Sequence, residues 1–137
     1  MQRLVNDTNV LVSSLIQRSF PFLIVSTVPD NKDINWCISD EVLAEYSEVL
    51  RRVKFSKYNG FGVNAEKLLI DIEVAAIKYN PEVKLYIIRD ASDNKFLELD
   101  STCQADFLIT GNTKDFTMSS HGQTKIVTPK EYWEEHR

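Results

Sequence analysis

The sequence predicts an α/β domain built on a mainly parallel β-sheet with helices on both faces. Two observations predict it. Short apolar runs alternate with amphipathic stretches from one end of the chain to the other. Four glycines and four prolines are scattered over 137 residues, and no repeat, low-complexity tract or linker interrupts the alternation. The length is that of one domain, expected to span 1–137. A chain of this size buries roughly 68% of its unfolded surface and needs no disulfide framework.

The elements follow in order. Leu4 and Val5 open a strand that ends at Asp7. Val10, Leu11, Leu15 and Ile16 have helical spacing, and residues 22–27 continue helical. Residues 35–38 read as a buried strand. Ser39 or Asp40 then caps a helix whose stripe is Val42, Leu43, Tyr46, Val49, Leu50 and Val53. Leu68, Leu69, Ile72, Ala76 and Tyr79 form a second stripe. The run 85–88 predicts a strand, 94–103 a helix, 106–110 a strand, and 126–127 a last short strand. Thr128, Pro129 and Glu131 start a terminal helix with cap, first-position proline and capping-box glutamate. Loops are expected at 29–35, 57–64 and 119–124.

Composition excludes several classes. The hydrophobic fraction of 43% and charged fraction of 26% rule out global disorder. A net charge of −4 excludes a wholly charge-driven nucleic-acid binder, while leaving room for local basic patches. Cys37 and Cys103 lie far apart in apolar surroundings and read as buried, reduced thiols. No segment reaches ~18 uninterrupted apolar residues, and the apolar N-terminus carries Asp7 and no cleavage site. The expectation is a cytoplasmic protein without a membrane span.

In parallel sheets, residues just past the carboxyl ends of strands face a shared crevice. Asp7 follows the first strand, Asp90 and Asp93 the third apolar one, and Asn112 and Asp115 the fourth. Glu45 falls at the margin of its helix's apolar face, whereas Glu48 points away. Taken singly, each has a plain structural alternative: Asx turn, N-cap, exposed helical charge. Together they place carboxylates at one edge. Two carboxylates ~5 Å apart cost roughly 3 kcal/mol at an effective dielectric of about 20. Either one is protonated or a cation sits between them. Oxygen ligands without Cys or His suit Mg²⁺ or Mn²⁺ rather than zinc, and such sites favour displacement at phosphorus.

The segments LVNDTNVLVSSL, SDEVLAEYSEVLRRVKF, RDASDNKFLELDSTCQADFLITGNTKDF and KIVTPKEYW resemble, in this order, the PIN-domain family. They look most like its subgroup of toxin components of bacterial toxin-antitoxin systems. DTNV directly after a strand and ADFLITGNTKDF near the end are the most specific parts. The resemblance implies a three-layer α/β/α sandwich and a Mg²⁺- or Mn²⁺-dependent endoribonuclease. It also implies a homodimer inhibited by a cognate antitoxin protein. It makes Asp7, Glu45, Asp93 and Asp115 the catalytic acids, with Asp7, Asp93 and Asp115 as metal ligands. Thr8 and Asn9 orient Asp7, and Asp90 and Asn112 are supporting positions. Two departures stand out: Asn6 where the family is often apolar, and Asn112 where the subgroup often has aspartate.

Arg51, Arg52, Lys54 and Lys57, interleaved with Phe55 and Tyr58, are candidates for RNA phosphates and bases. Their plainer reading is a set of cations at a helix C-terminus. Lys95 and Lys114 are weaker candidates beside the acids. His121 and His136 read as solvated surface residues. No Ser/His/Asp triad, P-loop or GxGxxG is present. Asn9 stands where aspartyl-phosphate chemistry needs a second aspartate. The competing functions are a PIN-like RNA- or protein-binding module that does not cut, and a metal-dependent phosphatase or DNA nuclease.

Overall fold

The structure, a computed structural model, describes residues 1–27, 30–88, 90–112 and 116–137. It is an α/β/α sandwich on a six-stranded sheet. Its elements are β1 (Gln2–Asn6), α1 (Thr8–Ile16), α2 (Phe20–Thr27), β2 (Ile34–Ile38), α3 (Asp40–Leu50) and α4 (Phe61–Ala75). They continue with β3 (Ile77–Lys78), α5 (Asn94–Cys103), β4 (Phe107–Ile109), β5 (Ser120–His121), β6 (Thr124–Val127) and α6 (Pro129–Glu131). The sheet order is β3-β2-β1-β4-β6-β5. All pairings are parallel except the β5–β6 hairpin, which turns through Gly122 at a φ of 58°.

This order fixes where a site can form. The chain leaves β1 toward β2 and β3 on one side, then returns across the sheet to β4 on the other side of β1. The carboxyl ends of β1 and β4 therefore border the crevice where strand order reverses. Register places Asn6 beside Ile109, so the residues that follow both strands emerge together. Right-handed crossovers put the connections leaving β1 and β2 on one face and the return crossover, with α5, on the other.

The core follows the apolar pattern. Leu4 and Val5, consecutive on β1, are both buried, as a central parallel strand covered on two faces requires. Val42, Tyr46 and Leu50 form the buried stripe of α3. Ser39 caps this helix by accepting from the Val42 amide at 3.2 Å, and Asp40 and Glu41 follow in the first turn. Thr128 and Glu131 make the expected capping box, with Pro129 at the first position. Cys37 and Cys103 are buried free thiols, and they lie within hydrogen-bonding reach of each other.

Several expectations are corrected. The run 85–88 is not a strand. The sheet edge is taken by Ile77 and Lys78, which pair with Cys37 and Ile38. The amides of Leu85, Ile87 and Ile88 are instead satisfied by side chains of α5, Glu98 and Asn94. An apolar run that finds its hydrogen bonds in side chains needs no neighbouring strand. The second stripe stops at Ala75, and Ala76 and Tyr79 lie beyond the helix. That helix begins at Phe61, inside the expected loop, because Gly60 at a φ of 75° turns the chain into it. The α3 stripe ends at Leu50, and Val53 is exposed in a short 3₁₀ turn. Part of the expected loop 119–124 is the β5–β6 hairpin. His136 is not a solvated tail residue: its ring lies 4.7 Å from that of Phe107, and its carbonyl accepts from Gln2.

Among the described residues no single helix is long and apolar enough to cross a membrane. Leu4 has no exposed surface, so Leu4→Ala removes packing from the central strand. It is expected to cost about 2–5 kcal/mol, read as a lower urea midpoint. A loss under about 1 kcal/mol would contradict the placement of β1 at the centre.

Candidate active site at the strand-order reversal

Asp7 directly follows β1 and stands at the N-cap of α1. Its amide donates to the Ile109 carbonyl at 2.9 Å, tying it to β4. Its Oδ2 accepts from the Thr110 hydroxyl at 2.7 Å and from the Asn9 side-chain amide at 3.0 Å. Asn9 in turn accepts from the Gly111 amide at 3.1 Å, and the Asn112 amide donates to the Thr110 hydroxyl oxygen at 2.9 Å. The two strand exits are thus stitched together around one carboxylate. Thr110 was not foreseen. It is a buried hydroxyl one residue past β4, in register with the residue after β1, a pairing that only the fold reveals.

Glu45 comes from α3. Its side chain is 17% exposed, against 61% for Glu48, so the helical phase reading holds for this pair. The Thr8 hydroxyl donates to Glu45 Oε2, and the Lys95 ammonium donates to Oε1 at 2.9 Å. Thr8 therefore positions the glutamate through its hydroxyl and Asp7 through its amide.

Asp7 is the electrostatically perturbed group. Its pKa is pushed up to about 6, chiefly by burial. The nearby Glu45 charge adds to the rise, while the Thr110 hydroxyl and the Thr8 and Asn9 amides oppose it. Close beneath, Tyr46 donates to the Asn6 carbonyl, and burial holds its hydroxyl well above the ordinary tyrosine range. The Asn6 side chain is buried and has no hydrogen-bond partner among the described residues. The Asp100 carboxyl, on α5, is also buried without a hydrogen-bond partner among them, and burial pushes its pKa well up.

The other foreseen residues divide. Asp93 is half-buried at the start of α5, its amide donating to the Asp90 carbonyl. Asp90 is exposed, and its carboxylate accepts from the Ser92 amide and hydroxyl, closing its own turn. Asp115 and Lys114 lie outside the described residues. Among the described residues, no three carboxylate, histidine or thiol side chains gather as a ready metal cage. The structure brings Asp7 and Glu45 together. Mg²⁺ needs only one or two protein carboxylates, and a buried, raised carboxyl beside a second acid is the repulsion that a divalent ion relieves. The donor set fits such an ion.

Of the basic run, Arg51 grips Glu66 through two hydrogen bonds of 2.7 and 2.9 Å, and Arg52 grips Glu48. Lys54 and Lys57 lie over the rings of Phe55 and Tyr58. Two of the four cations are thus already paired within the chain. A hollow of about 730 Å³ between α1, α2 and α4 is lined by none of the predicted acids.

Residues 3–114 match the PIN domain family. The chain belongs to that family. PIN domains are nucleases that generally use divalent metal ions. The chain is also 28% identical to uncharacterized protein MJ1680 of Methanocaldococcus jannaschii, over 97% of this chain and 90% of that one. Its fold is similar to a chain in the crystal structure of VapBC2 from Rickettsia felis bound to a promoter DNA fragment. That match has a TM-score of 0.58 at 16% identity, covering 93% of this chain and 98% of the other chain.

The raised Asp7 pKa has a definite sign in stability. Its carboxyl holds a proton more tightly when folded, so its contribution is fully present below about pH 4 and lost as pH rises through about 6. Two units correspond to about 3 kcal/mol. In EDTA, wild type is expected to lose that much relative to Asp7→Asn between pH 4 and 7, measured by urea unfolding. Parallel pH profiles for the two proteins would contradict the arrangement.

Proposed function

We propose that this PIN domain, acting through residues 1–137, is a Mg²⁺- or Mn²⁺-dependent endoribonuclease that hydrolyses RNA phosphodiester bonds. The observation that carries the reading is the convergence of Asp7 and Glu45 at the reversal of strand order, with Asp7 raised by burial and by that neighbour. Family membership supports nuclease chemistry, and the fold likeness to a chain of a toxin-antitoxin complex supports the toxin role. On this reading the partners are an RNA substrate, a cognate antitoxin protein and a second copy of the chain, in the cytoplasm.

Asp7, Asp93 and Asp115 are the residues that would hold the ion, which when bound would lower the pKa of a water and offset charge developing on the phosphate. Every other requirement falls to the chain. Thr110 and Asn9 fix the rotamer of Asp7 by hydrogen bonds to Oδ2. Thr8 and Lys95 hold Glu45 from both oxygens, aiming it to take the proton of the attacking water. Water adds to phosphorus, the bond to the 3′ oxygen breaks, and that oxygen leaves with a proton taken up from solvent. Asn112, half-buried beside Thr110, offers a carbonyl oxygen where an acid would add charge.

Cleavage of a pooled RNA in Mn²⁺ tests the reading. Wild type is expected to cut, and EDTA to stop it. Asp7→Asn should lower the rate about a hundredfold or more, since outer-shell partners of metal ligands alone are worth 10–100-fold. A wild-type protein that binds RNA and never cuts would assign the binding-module function instead. Turnover of a small phosphate ester without RNA cleavage would assign a phosphatase.

A further inference from the structure

We propose that a hollow beside the carboxylates holds one unpaired base of the RNA substrate, stacked on Tyr86. The inference rests on the RNA-cleaving reading and names how that site takes its substrate. Tyr86 is 87% exposed, although its ring is apolar and large. It stands in the irregular segment 81–87, yet that backbone is not loose there. The Leu85 amide donates to Glu98 Oε2 at 2.9 Å, and the Ile87 and Ile88 amides donate to Asn94 Oδ1 at 3.0 and 2.8 Å. Both acceptors belong to buried side chains of α5. The ring is therefore presented to solvent from a segment clamped on either side, which removes much of the ordering cost of binding.

The ring borders a hollow of about 190 Å³, whose walls include Lys84, Ser92, Asn94, Lys95 and Glu98. Its charges are already matched. Lys84 lies 2.9 Å from Glu41 and 3.9 Å from Glu98, and Lys95 lies 2.9 Å from Glu45. A phosphate entering there meets carboxylates beside every ammonium. An uncharged base meets an aromatic face together with the Ser92 hydroxyl oxygen and the Glu41 and Glu98 carboxylates for its edge. This is the chemistry by which unpaired RNA bases are read. The polar walls equally disfavour an apolar protein anchor. Lys95 joins the hollow to the acids, because it lines the hollow and donates to Glu45. A base seated on Tyr86 thus holds the adjoining backbone next to the carboxylate site.

The test uses a fluorescein-labelled, single-stranded RNA 12-mer of mixed sequence. Anisotropy in EDTA measures affinity, and cleavage in Mn²⁺ follows on the same RNA. Tyr86→Phe keeps the ring and is expected to bind within twofold of wild type. Tyr86→Ala is expected to bind about tenfold more weakly, with an unchanged melting temperature, as loss of one base–aromatic stack predicts. Fully paired RNA should bind both proteins alike. Wild-type affinity in Tyr86→Ala, with wild-type cleavage intact, would overturn the base site and leave the nuclease reading standing. Wild type that neither binds nor cuts RNA would overturn both. Tyr86→Ala that keeps its RNA affinity but loses a co-expressed antitoxin would make Tyr86 a protein contact and overturn the base site.

Discussion

The structure turns on the placement of one carboxyl group. Asp7 sits in a poorly hydrated pocket next to Glu45, and its ionisation is unfavourable there until a cation compensates it. Such a group is costly to keep, and the surrounding contacts keep it in one geometry. Thr110 and Asn9 hold its Oδ2, and its amide is tied to β4. Because the two strand exits are hydrogen-bonded through this residue, the sheet and the site are one construction.

Each layer of the fold contributes a part. The sheet order delivers Asp7 and Thr110 to the same crevice. The cap at Ser39 sets the phase of α3, which turns Tyr46 into the core and leaves Glu45 at its margin. Tyr46 then reaches back to the carbonyl of Asn6, the residue before Asp7. α5, on the return crossover, supplies Lys95 to Glu45 and anchors the segment that carries Tyr86. Lys95 pairs with Glu45, and among the described residues no lysine or arginine forms an ion pair with Asp7.

Much of this was legible in the amino-acid order. The alternation of apolar runs predicted the sheet and its helices, because parallel strands are buried on both faces and leave continuous apolar runs. Helical phase separated Glu45 from Glu48. DTNV and the stretch 105–116 pointed to the PIN family through a resemblance that the family match bears out. What periodicity could not supply was long-range satisfaction of polar groups. The amides of 85–88 look like strand amides locally, and only the fold shows that Asn94 and Glu98 take them. Asp90 and Asp93 are alike in sequence, yet Asp90 spends its carboxylate on its own turn. Thr110 and Lys95 act through partners 103 and 50 residues away, a separation that no local pattern encodes. Arg51 and Arg52 read as free cations until Glu66 and Glu48 are seen across from them.

The most direct measurement is Mn²⁺ binding by isothermal titration calorimetry, with wild type, Asp7→Asn and Glu48→Gln compared at pH 7.5. Mn²⁺ is expected to bind wild type and Glu48→Gln equally, and Asp7→Asn at least tenfold more weakly. Equal binding by all three proteins, or none by wild type, would contradict the claim that Asp7 anchors a cation site.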